Sequence, residues 1–141
     1  MVRYVLDTSV VVQWFHYSKE NHVAQAKKLW QDLQEQRIGI ILPDILPMEL
    51  LNAFIKGKGA SWEKSYSILD KLYKLPVTIL AVNLPVLEVS AKLMDQYNLA
   101  SYDAYFLALA QDEECKLISD DQKAHGKITD GSVLMLEDYN Y

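Results

Sequence analysis

The stretch YVLDTSVVVQWF, residues 4–15, places one carboxylate, Asp7, inside an otherwise apolar run. Residues 2–6 (VRYVL) are short, β-branched and aromatic in character, so they read as a buried strand ending at Asp7. The segment from Ser9 to about Phe15 reads as the helix that follows. Asp7 then has two meanings. It is a good N-cap, because Asp, Thr and Ser favour the point where a strand hands over to a helix. It also stands at the carboxyl end of a strand, where open parallel sheets bind their ligands. The rest of the chain has to separate the two.

Working outward, a second helix is expected from about Lys19 to Gln36, with Val23, Ala26, Leu29, Trp30 and Leu33 at spacings of three and four. IGIIL at 38–42 is a second strand, and residues 44 to about 56 form a helix stopped by Gly57 and Gly59. Ser61 offers an N-cap for a helix through Leu75 whose face carries Trp62, Tyr66, Leu69 and Tyr73. VTILAV is the third strand, Leu84 to Tyr97 the next helix, and Ser101 to about Asp112 another. KLIS and VLML supply the fourth and fifth strands. Strand and helix alternate, so the expected fold is α/β, three layers (α/β/α) around a central parallel sheet of about five strands. No repeat, linker or low-complexity segment interrupts it, and residues 1–141 are expected to form a single domain.

Half of the 141 residues are apolar and 23% are charged, as in ordinary globular proteins. No apolar stretch approaches a membrane span and no signal-peptide pattern opens the chain, so a cytoplasmic protein is expected. Cys115 is the single cysteine, which leaves no internal disulfide or Cys-rich zinc site; it reads as a small buried residue beside KLIS. The net charge of −5 and pI near 5.1 exclude a grip on nucleic acid through bulk positive charge. They leave open nucleic acid reached locally through metal ions.

The acids follow a pattern. Asp7 follows the first strand, and Asp120 and Asp121 follow the fourth. Glu49 lies among Ile45, Met48, Leu50, Leu51 and Phe54, where an unpartnered carboxylate would cost several kcal/mol if buried. Asn52, one turn on, is its natural polar neighbour. Asp103 suits the first turn of its helix through the helix dipole, yet it shares a face with Leu107 and Ala110 and is expected to point inward. Gathered together, Asp7, Glu49, Asp103 and Asp121 would repel one another unless a cation lay between them. Oxygen ligands select Mg²⁺ or Mn²⁺, and two such ions clamp the attacking and leaving oxygens of a phosphodiester, the chemistry of metal-dependent nucleases.

These residues resemble the PIN-domain ribonucleases, and especially the VapC-like toxins of type II toxin–antitoxin pairs. LDTSVVVQWF is similar to the family's opening strand with its first acid, PMELLNAF to the helix of the second, ASYDAYFLALA to the third motif and LISDDQKAH to the fourth. The resemblance runs in order over nearly the whole chain. It implies metal-binding, catalytic acids at Asp7, Glu49, Asp103 and Asp121, with Thr8, Ser9, Asn52, Ser119 and Asp120 in support. Ser119 stands where the family commonly has Thr and keeps the hydroxyl. Asp120 fills the variable position, so the fourth ligand is assigned to Asp121. The implied activity is Mg²⁺-dependent endoribonuclease cleavage of RNA, in a homodimer restrained by a cognate antitoxin.

Lys56, Lys58, Lys123 and Lys127 flank the acid motifs and are candidates to contact phosphates. His16, His22 and His125 have no metal-ligand spacing; His125, four residues after the fourth acid, is within reach of a substrate but is expected at the surface or in a capping role. Trp14, Trp30, Trp62 and Tyr66 are expected mostly in the core. Two alternatives stand beside the nuclease. One is a non-catalytic PIN-like module that binds RNA or protein. The other, a phosphotransfer or phosphatase-type domain, fits poorly, because a haloacid dehalogenase-like enzyme needs a second Asp where Ser9 stands.

Overall fold

The computed structural model describes residues 1–16 and 22–140. Among them, five strands form one sheet in the order β3-β2-β1-β4-β5: β1 (Val2–Leu6), β2 (Ile38–Pro43), β3 (Thr78–Leu80), β4 (Lys116–Ser119) and β5 (Val133–Met135). Every pairing is parallel, with Val5 opposite both Ile41 and Leu117. Seven α-helices, α1 (Thr8–Val11), α2 (Val23–Gln34), α3 (Leu46–Leu51), α4 (Trp62–Tyr73), α5 (Leu84–Tyr97), α6 (Ser101–Asp112) and α7 (Gln122–His125), complete a three-layer α/β/α arrangement. The fold is the one expected from the alternating pattern.

The core explains the central position of β1 and α6. Val5 and Leu6 of β1, Leu42 of β2, and Leu117 and Ile118 of β4 are fully buried or nearly so, as parallel strands covered on both faces must be. The run from Ala104 to Ala110 is buried all round, because α6 packs against β1 and β4 on one side and α5 on the other. The first turn of this helix carries Asp103.

Three elements depart from expectation. The helix expected over 44–56 is an α-helix only to Leu51 and continues as a π-helical segment over Asn52–Gly57. The helix after β1 is four α-residues followed by a 3₁₀ turn over Val12–Trp14. The helix α7 had no expected counterpart. The expected start of the second helix at Lys19 lies outside the described residues. The aromatic face of α4 is also turned the other way: Trp62, Tyr66 and Tyr73 are exposed, while Ser65, Ile68 and Leu72 face the core. Trp14 is buried and stacks edge-on against Trp30. Cys115 is half-buried rather than fully enclosed.

One buried charge anchors the C-terminal end. Asp32 of α2 is fully buried and accepts hydrogen bonds from Tyr139 Oη (2.6 Å), Lys28 Nζ (2.7 Å) and Arg37 Nε (2.8 Å). Burial alone would raise its pKa, but the bonds from Lys28, Tyr139 and Arg37 outweigh it and hold the carboxyl below its usual range. A depressed carboxyl contributes stability above its unfolded pKa and loses it as pH falls through the folded value. Asp32→Asn is therefore expected to cost about 1–3 kcal/mol at pH 7, read by urea unfolding, with the difference narrowing below about pH 4.

Candidate functional site

In this strand order the chain leaves β1 toward β2 on one side and places β4 on the other, so the order reverses between β1 and β4. Ligands of open α/β sheets sit at such a reversal, beyond the carboxyl ends of the strands. Asp7 follows β1 there, its backbone N–H donating to the Ile118 carbonyl of β4 at 2.9 Å.

Asp7 is almost wholly buried and does cap α1, its Oδ2 accepting from the Ser9 amide at 3.1 Å and the Ser9 hydroxyl at 2.6 Å. The Ser9 oxygen in turn accepts from the Asp120 amide at 2.9 Å, which ties the ends of β1 and β4 together. Thr8 donates to Glu49 Oε1 at 2.7 Å and joins the second acid to the first. Asp103 and Asp7 offer carboxylate oxygens that lie, with a ring nitrogen of His125, within 4.8 Å of one another.

The acids suffer from one another's presence. Burial pushes the carboxyl of Asp7 up, against the opposing charge of His125 and the hydrogen bonds of Ser9, and the charge of Asp121 adds to the rise. Glu49 is raised by burial, opposed by Thr8, and by the charges of Asp7 and Asp103. Asp103 is raised by burial and then by Asp7, with Asp121 contributing and with His125 and Lys127 opposing. Mutual influence of this kind means that Asp7, Glu49, Asp103 and Asp121 share one region.

The candidates named from sequence divide as follows. Asp121 lines a hollow of about 260 Å³ with Asp103, Lys123 and Lys127, and also caps α7 by accepting from the Ala124 amide at 3.0 Å. Asp120 is engaged elsewhere, by Gln13 Nε2 at 2.7 Å and His22 Nδ1 at 2.8 Å. Glu49 and Asn52 line a second hollow of about 290 Å³ with Ile45, Met48 and Tyr102. Asn52 is exposed there, and Glu49 takes its hydrogen bond from Thr8 instead. Lys56 and Lys58 line neither hollow. A third hollow is lined by Trp14, Phe15, Lys27, Trp30 and Lys71, with no acid among the described residues that line it.

His125 corrects the expectation of a surface residue. It is fully buried, with Nδ1 2.7 Å from Ser119 Oγ and Nε2 3.0 Å from the Asp103 carbonyl oxygen. The sequence missed it because α7 is only four residues long and shows no helical period. Its place four residues after Asp121 is the one local signal. Gln13, also missed, lies four residues after Ser9 and bonds back to that residue's carbonyl.

The fold and site together define an α/β protein with an acidic cluster at its sheet reversal. The PIN domain family profile matches residues 4–128, and the chain belongs to that family. No curated protein matches the chain. Among solved structures, a toxin–antitoxin complex from Klebsiella pneumoniae is similar over 98% of this chain and 99% of that one, with a TM-score of 0.70 and 22% identity. VapBC2 of Rickettsia felis, bound to a fragment of its promoter DNA, aligns over 95% and 98% with a TM-score of 0.69 and 19% identity. Mycobacterium tuberculosis VapC20, a toxin that cleaves the sarcin–ricin loop, aligns over 82% and 86% with a TM-score of 0.66 and 13% identity.

Raised carboxyls make a stability prediction. A carboxyl whose folded pKa exceeds its unfolded value penalises the fold at neutral pH, and the penalty fades as pH falls through the folded value. Asp7→Asn, which keeps the capping oxygen, is expected to raise the melting temperature in chelator at pH 7 by roughly 3–5 °C. That gap over the wild type should close as the pH is lowered toward the ordinary carboxylate range, in paired thermal scans.

Proposed function

We propose that this chain is a metal-dependent endoribonuclease, the toxin of a toxin–antitoxin pair. The observation that carries the reading is the convergence of Asp7, Glu49, Asp103 and Asp121, three of them with pKa values raised by burial and by their neighbours' charges. The donor set is dominated by carboxylate oxygens, with one imidazole nitrogen, of His125, beside Asp7 and Asp103, and so many hard oxygens suit a divalent cation such as Mg²⁺ or Mn²⁺. When bound, such an ion supplies a water activated for attack at neutral pH and positive charge for the phosphodiester.

The protein's own residues do the rest. Ser9 orients Asp7 through both its amide and its hydroxyl, and Thr8 orients Glu49. Lys123 and Lys127, beside Asp103 and Asp121, meet the phosphates of an RNA strand and offset the net charge of −5 where it matters. No serine, cysteine or histidine nucleophile is needed. The partners in this reading are RNA, a small antitoxin and a second copy of the chain. The names of the structural neighbours support the toxin–antitoxin assignment, and the exposed Trp62, Tyr66 and Tyr73 leave α4 an apolar face for a protein partner. The sarcin–ricin activity of one neighbour makes a structured ribosomal loop a reasonable first substrate beside transfer RNA.

The test is cleavage of a mixed RNA panel, including transfer RNAs and a sarcin–ricin hairpin, with Mg²⁺ or Mn²⁺ and with chelator. Discrete cuts that need the metal and fall about a hundredfold or more in both Asp7→Asn and Asp121→Asn are expected. Equal cutting by wild type and variants would trace the activity to a contaminant. A chain that neither cuts nor binds Mn²⁺ would be a PIN-like binding module.

A further inference from the structure

We propose that His125 is the positioning residue of the acid cluster, clamping the backbone of Asp103 to the turn that carries Asp121; the inference rests on the metal-nuclease reading above. A continuous chain of hydrogen bonds carries it. The Asp121 amide donates to Ser119 Oγ at 3.1 Å, Ser119 Oγ lies 2.7 Å from His125 Nδ1, and His125 Nε2 lies 3.0 Å from the Asp103 carbonyl. The backbone that carries the imidazole is tied to the same turn, the His125 amide donating to the Asp121 carbonyl at 2.9 Å.

The polarity of this chain is fixed by its ends. A carbonyl oxygen accepts only, so Nε2 carries a proton and donates to Asp103. The Asp121 amide donates only, so Ser119 Oγ accepts from it. With the hydroxyl donating onward to Nδ1, every one of these buried groups is satisfied. Reversing that link would leave the Ser119 hydroxyl proton without an acceptor in a side chain that is fully buried.

The clamp joins two elements that repel. Asp103 belongs to α6 and Asp121 to the turn after β4, and the charge of Asp121 disfavours that of Asp103. Without a link between the backbones, like charges relax apart and a cation must draw them together again. Groups that orient metal ligands from behind are worth about 10- to 100-fold in metal affinity. Ser119 gains a purpose here as well, because it passes the clamp from Asp121 to the imidazole.

The experiment measures Mn²⁺ binding to the full-length protein by calorimetry and by Mn²⁺ spin resonance, with thermal melting in chelator and kcat and KM on the cleaved RNA. The proteins are wild type, His125→Phe, His125→Gln and Ser119→Ala. His125→Phe is expected to bind Mn²⁺ about 10- to 100-fold more weakly and to lose kcat more than KM. His125→Gln, whose amide nitrogen reaches the Nε2 position, should recover most of the loss, and Ser119→Ala should fall between. If His125→Phe fails to fold, the ordering of the other two variants decides. Affinities within twofold of wild type in folded variants, with only the melting temperature lowered, would overturn the clamp while leaving the metal reading intact. A wild type that binds no Mn²⁺ would overturn both.

Discussion

Like charge held together at one edge of a sheet is the constraint on which the rest of this structure turns. Because the strand order reverses between β1 and β4, the residues that follow those two strands are forced into proximity, and both positions carry acids. The α6 helix, buried from Ala104 to Ala110, brings Asp103 to the same place, and the hydroxyl of Thr8 draws in Glu49. Burial and neighbouring carboxylates penalise Asp7, Glu49 and Asp103. The fold answers with short polar side chains: Ser9 bridges Asp7 to the Asp120 amide, and Ser119 bridges the Asp121 amide to His125. Such links tie the ends of β1 and β4 and the first turn of α6 together. The charge left uncompensated is then available to a ligand, which is how a site trades stability for function.

Much of this was legible in the sequence because apolar periodicity reports faces. The strand VRYVL, the six-residue strand at Ile38–Pro43 and the helices at Leu84–Tyr97 and Ser101–Asp112 all fall where spacing placed them. Asp7 turned out to satisfy both of its readings at once, as cap and as member of the cluster. Periodicity fails where two stripes compete. On α4 the aromatic stripe of Trp62, Tyr66 and Tyr73 outweighs Ser65, Ile68 and Leu72 by eye, yet the second stripe is the one that packs. It also fails for elements shorter than two turns, which hid α7 and, with it, the buried His125.

Hydrogen-bond partners were the least legible part, because they depend on contacts across the chain. Thr8 and Glu49 are 41 positions apart, and Gln13 and Asp120 are 107 apart. A local rule paired Glu49 with Asn52 instead, since both sit on one helix. The π-helical segment beginning at Asn52 breaks the ordinary register of that helix, and Asn52 ends exposed beside the hollow rather than bonded to the acid. Asp120 and Asp121 likewise could not be told apart by position. Their partners separate them: Gln13 and His22 occupy the first, while the second faces Asp103 and two lysines.

The overall negative charge constrains how the proposed activity would work. A protein of net charge −5 repels a polyanion at long range, so encounter gains nothing from bulk attraction. Among the described residues two lysines line the hollow with Asp103 and Asp121, too few to release many counterions from a strand. Binding must then come from close fit and from cations held between acid and phosphate. Fit rewards an RNA with a fixed shape, such as a loop whose bases are already splayed, over an extended strand that must be ordered on arrival. On this reading the same acids that disfavour one another also select the substrate, because they exclude any phosphate that does not arrive where a cation can stand between.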